Sequence, residues 1–309
     1  MPERYRIIGH NFLTGKAILQ LTKHERRMNI KLWTTGLLAF LLGYQADNIS
    51  HYLIDYSIEK KFGLEQETPS EIIKTRLFNI NSNTVSKKAV PCPEKQEVYV
   101  VAGFGQSNST NSGGHRFNID NESILNFYEG KCYVASDPLL GTTGQRGAIW
   151  IPFAQELRLS KKILLVTFGI DGSKVDSWLS EDHLAPHLRK NLDSLKSSGY
   201  PPDLFVWFQG ESDKNTNPSR YSKDLEQLLK NIHAEFPGSR ISLSSTSYCG
   251  GGSKHAITDA QKLIASRNNY IWLGNTDILN APEYRYDNCH LSEQGLRSVA
   301  GMFAKSVRN

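Results

Sequence analysis

From Glu97 to the C-terminus the chain repeats one alternation, and that alternation restricts the fold more than any other feature. Five short, nearly continuous apolar runs occur: Val98 to Phe104, Ile163 to Phe168, Leu204 to Phe208, Ile241 to Ser245 and Tyr270 to Leu273. Short, nearly continuous runs of apolar or β-branched residues are what strands buried on both faces require. Between and after them lie stretches of helical period, among them Leu184 to Leu195, Tyr221 to Phe236, Ala256 to Ala265 and Glu293 to Val307. Strand and helix in alternation predict right-handed crossovers. The expected fold class is therefore α/β, a three-layer sandwich of a five-stranded parallel sheet with helices on both faces. With 39% hydrophobic and 22% charged residues the chain has the composition of a globular protein with a sizeable core.

In such folds ligands bind beyond the carboxyl ends of the strands, so the chemistry should follow each run directly. The first run is followed by Gly105-Gln106-Ser107-Asn108 and the second by Asp171-Gly172-Ser173. After the third comes Gln209-Gly210-Glu211-Ser212-Asp213, and beyond the fifth Asp287-Asn288-Cys289-His290-Leu291. These tips would bring a hydroxyl nucleophile, a base, an acid and amide donors to one rim. Two better-known motifs do not fit. A dinucleotide fingerprint lacks its third glycine, since Asn108 stands there and loop-like Ser109 to Gly114 follows. The nucleophile elbow Gly-x-Ser-x-Gly fails because Ser107 lies in Gly-Gln-Ser-Asn-Ser. No zinc-ligand spacing is visible, and no metal or organic cofactor is expected.

At these tips the sequence resembles the SGNH hydrolases, most closely their carbohydrate O-acetylesterase branch of the sialate O-acetylesterase and acetylxylan-esterase type. The resemblance covers about Glu97 to Arg308 and rests on four ordered blocks. Gly105 to Asn108 is similar to the nucleophile block, and Asp171 to Trp178 to the glycine block, which implies Gly172 as an oxyanion donor. Trp207 to Asp213 resembles the third block, with Gln209 where the wider superfamily has asparagine. Asp287-x-x-His290-Leu291 matches the last block.

The roles these residues would play follow from their chemistry. Ser107 needs an imidazole to take its proton as it attacks an ester carbonyl. His290 is the candidate base, which then protonates the leaving sugar hydroxyl, and Asp287 would hold the ring and stabilise the imidazolium. The amides of Ser107 and Gly172 and the side chain of Gln209 are the expected oxyanion hole. Glu211 is a possible supporting residue, and with Asp213 reads equally well as a surface acidic turn. Trp178 and Trp207 read as packing, Arg146 as part of a surface loop. The expected activity is hydrolysis of acetyl or other short acyl esters on carbohydrate hydroxyls. The alternatives are an extracytoplasmic O-acyltransferase using the same triad and a non-catalytic carbohydrate-binding module.

Charge separates the N-terminal part from this body. Seven Lys/Arg against two acids in residues 1–31 account for the whole formal excess of +5. A nucleic-acid groove would place its excess on the folded body, so no nucleic-acid partner is expected. The basic segment instead precedes the uncharged run Leu32 to Tyr44, which by the positive-inside rule reads as a membrane anchor or export signal. Met28 offers a second start for a compact signal. The expected organisation is a basic cytoplasmic tail at 1–31, an anchor or signal at 32–46, a stalk at 47–95 with helix around Ile49 to Phe62, and the hydrolase domain at 96–309. That domain would be extracytoplasmic, periplasmic or extracellular, and either tethered or released after cleavage. Export permits disulfides, and four cysteines allow three pairings. Cys249 and Cys289 both follow late strands and should share a rim, which predicts Cys249 with Cys289 and Cys92 with Cys132.

Overall fold

The computed structural model describes residues 69–309. All five expected runs are strands, and they stand side by side in a larger sheet with the last of them at its edge. We number the strands β1 (Ala89–Val90), β2 (Val98–Gly105), β3 (Ile124–Tyr128), β4 (Lys131–Val134), β5 (Lys162–Thr167), β6 (Leu204–Phe208), β7 (Arg240–Ser245) and β8 (Ile271–Asn275). They form one eight-stranded sheet in the order β1-β4-β3-β5-β2-β6-β7-β8. From β3 to β8 every neighbouring pair is parallel, while β4 and β1 add on antiparallel.

The expectation of five strands thus falls three short. The missed β3 and β4 are a hairpin whose two-residue connection, Glu129-Gly130, has positive φ at both positions (48° and 77°), the pattern of a type I′ turn. Buried Asn126 interrupts the apolar run of β3, and its side chain answers the backbone around it: Oδ1 accepts from Leu140 N at 2.7 Å and Nδ2 donates to Leu165 O at 3.3 Å. A polar residue satisfied in this way hides a strand from an apolar-run criterion.

The described residues also form six α-helices: α1 (Pro69–Phe78), α2 (Trp150–Leu157), α3 (Ala185–Ser197), α4 (Pro218–Glu235), α5 (His255–Arg267) and α6 (Glu293–Arg308). The central strands divide their side chains between two cores by the period-2 rule. Val98, Val100, Ala102 and Phe104 of β2 enter the core covered by α3, α4 and α5, and Val101 enters the one covered by α2 and α6. In α6 the residues Leu296, Val299, Ala300, Phe303, Ala304 and Val307 form the buried stripe. Helices therefore cover both faces, as the alternation requires.

Residues 69–95, the described part of the segment assigned to a stalk, belong to the same compact unit as the hydrolase domain. β1 pairs with β4 and Cys92 is bonded to Cys132. Asn81 Nδ2 donates to the carbonyls of Pro138 and Leu139 at 2.7 and 3.1 Å, and Asn81 N donates to Thr142 O. The absence of strong apolar periods in this stretch hid an attachment made by a disulfide and a buried amide. The anchor or signal at 32–46, the basic tail and the helix around Ile49 to Phe62 lie outside the described residues. Among the described residues no helix is long and apolar enough to cross a membrane.

Candidate active site

β2 ends where Gly105 adopts φ 136° and its Cα lies so close to β6 that a Cβ would stand 2.1 Å from Phe208 O. Only glycine fits there. This approach lets Gln106 turn and starts a short 3-10 helix, Ser107–Ser109, at the strand's carboxyl end. Trp150 of α2 braces that turn by donating from Nε1 to Ser109 O at 2.7 Å. Ser107 is 7% exposed and opens on a cavity of about 550 Å³. The cavity is also lined by Gln106, Asp171, Gly172, Glu211 and His290. The tips of four separate strand-to-helix connections thus meet at one rim, as the topology demands.

Asp287 and His290, the expected acid and base, are hydrogen-bonded to each other. Asp287 Oδ2 accepts from the His290 ring Nδ1 at 2.7 Å, and Oδ1 accepts from the backbone amides of His290 and Cys289 at 2.7 and 3.0 Å. Burial pushes the Asp287 carboxyl up, but the hydrogen bonds from the ring and backbone of His290 outweigh it and hold the group below the usual carboxylate range. A carboxylate that stays charged keeps the Nδ1 proton in place and leaves Nε2 as the basic nitrogen. Ser292 caps α6 by accepting from Gly295 N at 3.1 Å, so the helix begins three residues after His290. Tyr286 stacks on the imidazole at 6.0 Å between centroids. His290 and Ser107 line the same cavity, and no hydrogen bond joins them among the described residues. Catalytic hydrogen bonds of this kind are often long before substrate binds.

Gly172 also lines the cavity, at φ 62°, a left-handed conformation that a side chain would strain. Its neighbour Asp171 accepts from the hydroxyls of Thr110 and Ser112 at 2.5 and 3.1 Å, which ties the glycine loop to the turn after Ser107.

Gln209 does not fill the expected role. Its side chain is fully buried and is not part of the cavity wall. Both Nε2 protons are committed, one to Asp213 Oδ2 at 2.6 Å and one to Ser173 O at 3.1 Å. Two acceptors fix the amide's orientation and leave no proton for an oxyanion. The expectation of Gln209 as an oxyanion donor is therefore corrected: it braces the third tip against the second. Asp213 completes the brace by accepting from Val175 N at 2.8 Å, so it is no surface turn. Gln106 is the glutamine on the cavity wall. Its Oε1 accepts from Ser212 N at 2.9 Å and Gly210 N at 3.4 Å.

Glu211 is likewise buried, and burial pushes its carboxyl up despite the Asn108 amide. Its Oε1 accepts from Asn108 Nδ2 at 2.7 Å and Thr246 Oγ1 at 3.2 Å, while Oε2 has no partner. Asn108, to which the sequence reading gave no role, is the hub of the site. Besides Glu211 it reaches Cys289 O at 3.3 Å and accepts from Leu291 N at 3.2 Å, joining the first tip, the third tip and the loop that carries His290. Its position next to the nucleophile was the only signal available. Buried Arg285 holds the same loop, donating to Cys289 O at 2.5 Å and Thr276 O at 3.1 Å. The Cys249–Cys289 disulfide is present as expected, at the cavity edge. Trp178 and Trp207 are buried in the core, and Arg146 lies over the exposed ring of Tyr286 at 5.1 Å.

The fold is similar to that of a protein from Arabidopsis thaliana at 22% identity and a TM-score of 0.57, covering 69% of this chain and 98% of that one. A lipase/acylhydrolase from Enterococcus faecalis (14% identity, TM-score 0.47, 68% and 95% covered) is also similar. So is an acetyl xylan esterase (16% identity, TM-score 0.44, 67% and 99% covered). No curated protein matches the chain. The family model for carbohydrate esterases of the sialic acid-specific acetylesterase type matches residues 95–309. That span is the greater part of the chain and contains all four strand-end tips, so the protein belongs to this family of carbohydrate esterases and is a carboxylic ester hydrolase.

Proposed function

We propose that the protein removes acetyl or similarly short acyl groups from carbohydrate hydroxyls through an acyl-enzyme on Ser107. The observation that carries this reading is the charged Asp287 locked onto His290 Nδ1 in the cavity that Ser107 lines. His290 Nε2 takes the Ser107 proton as Oγ attacks the ester carbonyl. The tetrahedral oxyanion is received by the amides of Ser107 and Gly172. Collapse breaks the acyl–oxygen bond, and the imidazolium returns the proton to the departing sugar hydroxyl. Water, deprotonated by the same imidazole, then releases acetate from the seryl ester. The substrate is an acetylated glycan. Two disulfides, together with the basic segment ahead of an apolar run, support an extracytoplasmic site for the domain, with residues 32–46 as its anchor or signal.

The test is to incubate the protein with a panel of O-acetylated sugars, with and without unacetylated acceptor sugars, and to measure free acetate and acetylated acceptor. The reading expects acetate, with its release abolished in Ser107→Ala of native circular dichroism. Acetyl transfer to acceptors in place of acetate release would favour the acyltransferase alternative. No turnover of any ester would overturn the reading.

A further inference from the structure

One cationic side chain on the cavity wall comes from outside the family domain. Arg76 belongs to α1, which ends 17 residues before the matched region begins at residue 95. It nevertheless lines the same cavity as Ser107 and His290. Its guanidinium lies against the glycine of the second tip: a Cβ on Gly172 would stand 2.9 Å from one terminal nitrogen and 3.0 Å from both Cζ and the other. The placement is built. The turn after α1 is held by Asn79 N donating to Arg76 O at 3.0 Å and by the Asn81 contacts to 138–142. The Ile80–Thr143 bridge continues the attachment, and Thr143 Oγ1 accepts from Asp171 N at 2.9 Å. A continuous path of backbone and side-chain hydrogen bonds thus runs from the turn after Arg76 to the residue beside Gly172.

The guanidinium has no ion pair and no side-chain hydrogen bond among the described residues, although it is half-buried. The other cation on the wall, Lys214, is already occupied by Cys249 O at 2.9 Å. Of the two carboxylates on the wall, Glu211 is sealed beneath Asn108 and Thr246, and Asp171 is engaged by two hydroxyls. A half-buried guanidinium with free donors beside the candidate reacting centre is available to pair with an anion that enters the cavity. Its planar fork matches a carboxylate bidentately.

We infer that Arg76 is a specificity-determining residue, which receives the carboxylate of an acidic sugar carrying the ester close to that carboxylate. The inference rests on the esterase reading above. Arg76 touches Gly172, the donor proposed for the acyl carbonyl, so the anion it holds lies beside the scissile bond and fixes which hydroxyl is presented to Ser107. A segment preceding the family domain thereby narrows the substrate range of the common site.

The experiment compares two probes, O-acetylated methyl glucoside and O-acetylated glucuronic acid, with the full chain, Arg76→Ala and Arg76→Lys. Arg76→Ala is expected to lower the acid-to-neutral ratio of kcat/KM by roughly 10- to 100-fold, mainly through KM, as loss of a charge-assisted pair that acts in binding requires. Arg76→Lys keeps the charge and loses the fork, so it should recover part of the ratio. A parallel fall on both probes in a variant of wild-type melting temperature would overturn the inference, since Arg76 would then serve the oxyanion or the turn. An unchanged ratio would overturn it as well. If the wild type hydrolyses neither probe nor any ester of the O-acetylated sugar panel, the esterase reading fails. Calorimetric binding of glucuronate to the full chain then decides the inference separately: heat lost in Arg76→Ala supports it, and equal heat refutes it.

Discussion

At the residue scale the site shows how far side-chain chemistry alone identifies roles. Ser107, Asp287, His290 and Gly172 could be singled out as candidates because each has a demand that its local sequence announces: a strand-end turn, an i,i+3 carboxylate–imidazole pair, a glycine in a polar loop. The role of Gln209 could not be read in this way, because an amide donor is defined by what its protons meet, and Asp213 and Ser173 are the partners here. Replacing Gln209 by Ala should leave Asp213 buried with one donor fewer. The expected loss is about 1 to 3 kcal/mol of stability, seen as a lower melting temperature, with kcat falling less than the roughly 10²-fold typical of an oxyanion donor. A 10²-fold loss of kcat at unchanged melting temperature would restore Gln209 to the oxyanion hole. Glu211 gives a pH signature. Burial raises its folded pKa, so its favourable contribution is complete below the unfolded value of about 4.3 and is lost as pH rises through the folded one. Glu211→Gln, which cannot ionise, should flatten that part of the stability–pH curve. Urea midpoints across the range provide the check.

At the element scale, the parallel strands were legible because burial on both faces forces continuous apolar runs. The antiparallel additions were not. β3 carries Asn126 in its middle, β4 is four residues long and β1 only two. Their pairing is set by the Glu129-Gly130 turn and by Cys92–Cys132 more than by apolar pattern. α2 escaped notice for a related reason: Pro152 falls within its first turn, where the missing N–H costs nothing. The Cys249–Cys289 bond could be placed from topology, because both cysteines follow strands that end on one rim. It closes a 40-residue separation, which chain entropy alone values at about 4 kcal/mol. It also anchors the residue next to His290. Ser replacement of both cysteines should therefore reduce kcat at temperatures well below the new melting transition. Full activity in the double variant, with the loss of the bond verified by mass spectrometry, would show that Asn108 and Arg285 hold the loop unaided.

At the scale of the whole molecule, the domain that folds is larger than the family match. α1, β1 and the first disulfide all precede or straddle residue 95. A fragment beginning at Glu67 should unfold cooperatively, whereas one beginning at Gln96 loses β1, Cys92 and the Asn81 amide that answers two carbonyls. It should melt at a clearly lower temperature, and equal melting of the two fragments would return residues 67–95 to the role of a linker. What unites the scales is that an eight-stranded sheet brings four polar tips to one cavity, where Ser107 is the only atom source for a covalent intermediate in the proposed reaction. The most direct measurement is rapid-quench mass spectrometry of the protein mixed with an O-acetylated sugar. The account predicts that the peptide containing Ser107 becomes heavier by one acetyl group during turnover, that the label accumulates in His290→Ala only if an activated ester is supplied, and that it is absent in Ser107→Ala. Acetate release at the wild-type rate from Ser107→Ala, or acetylation of any other residue in its place, would contradict it.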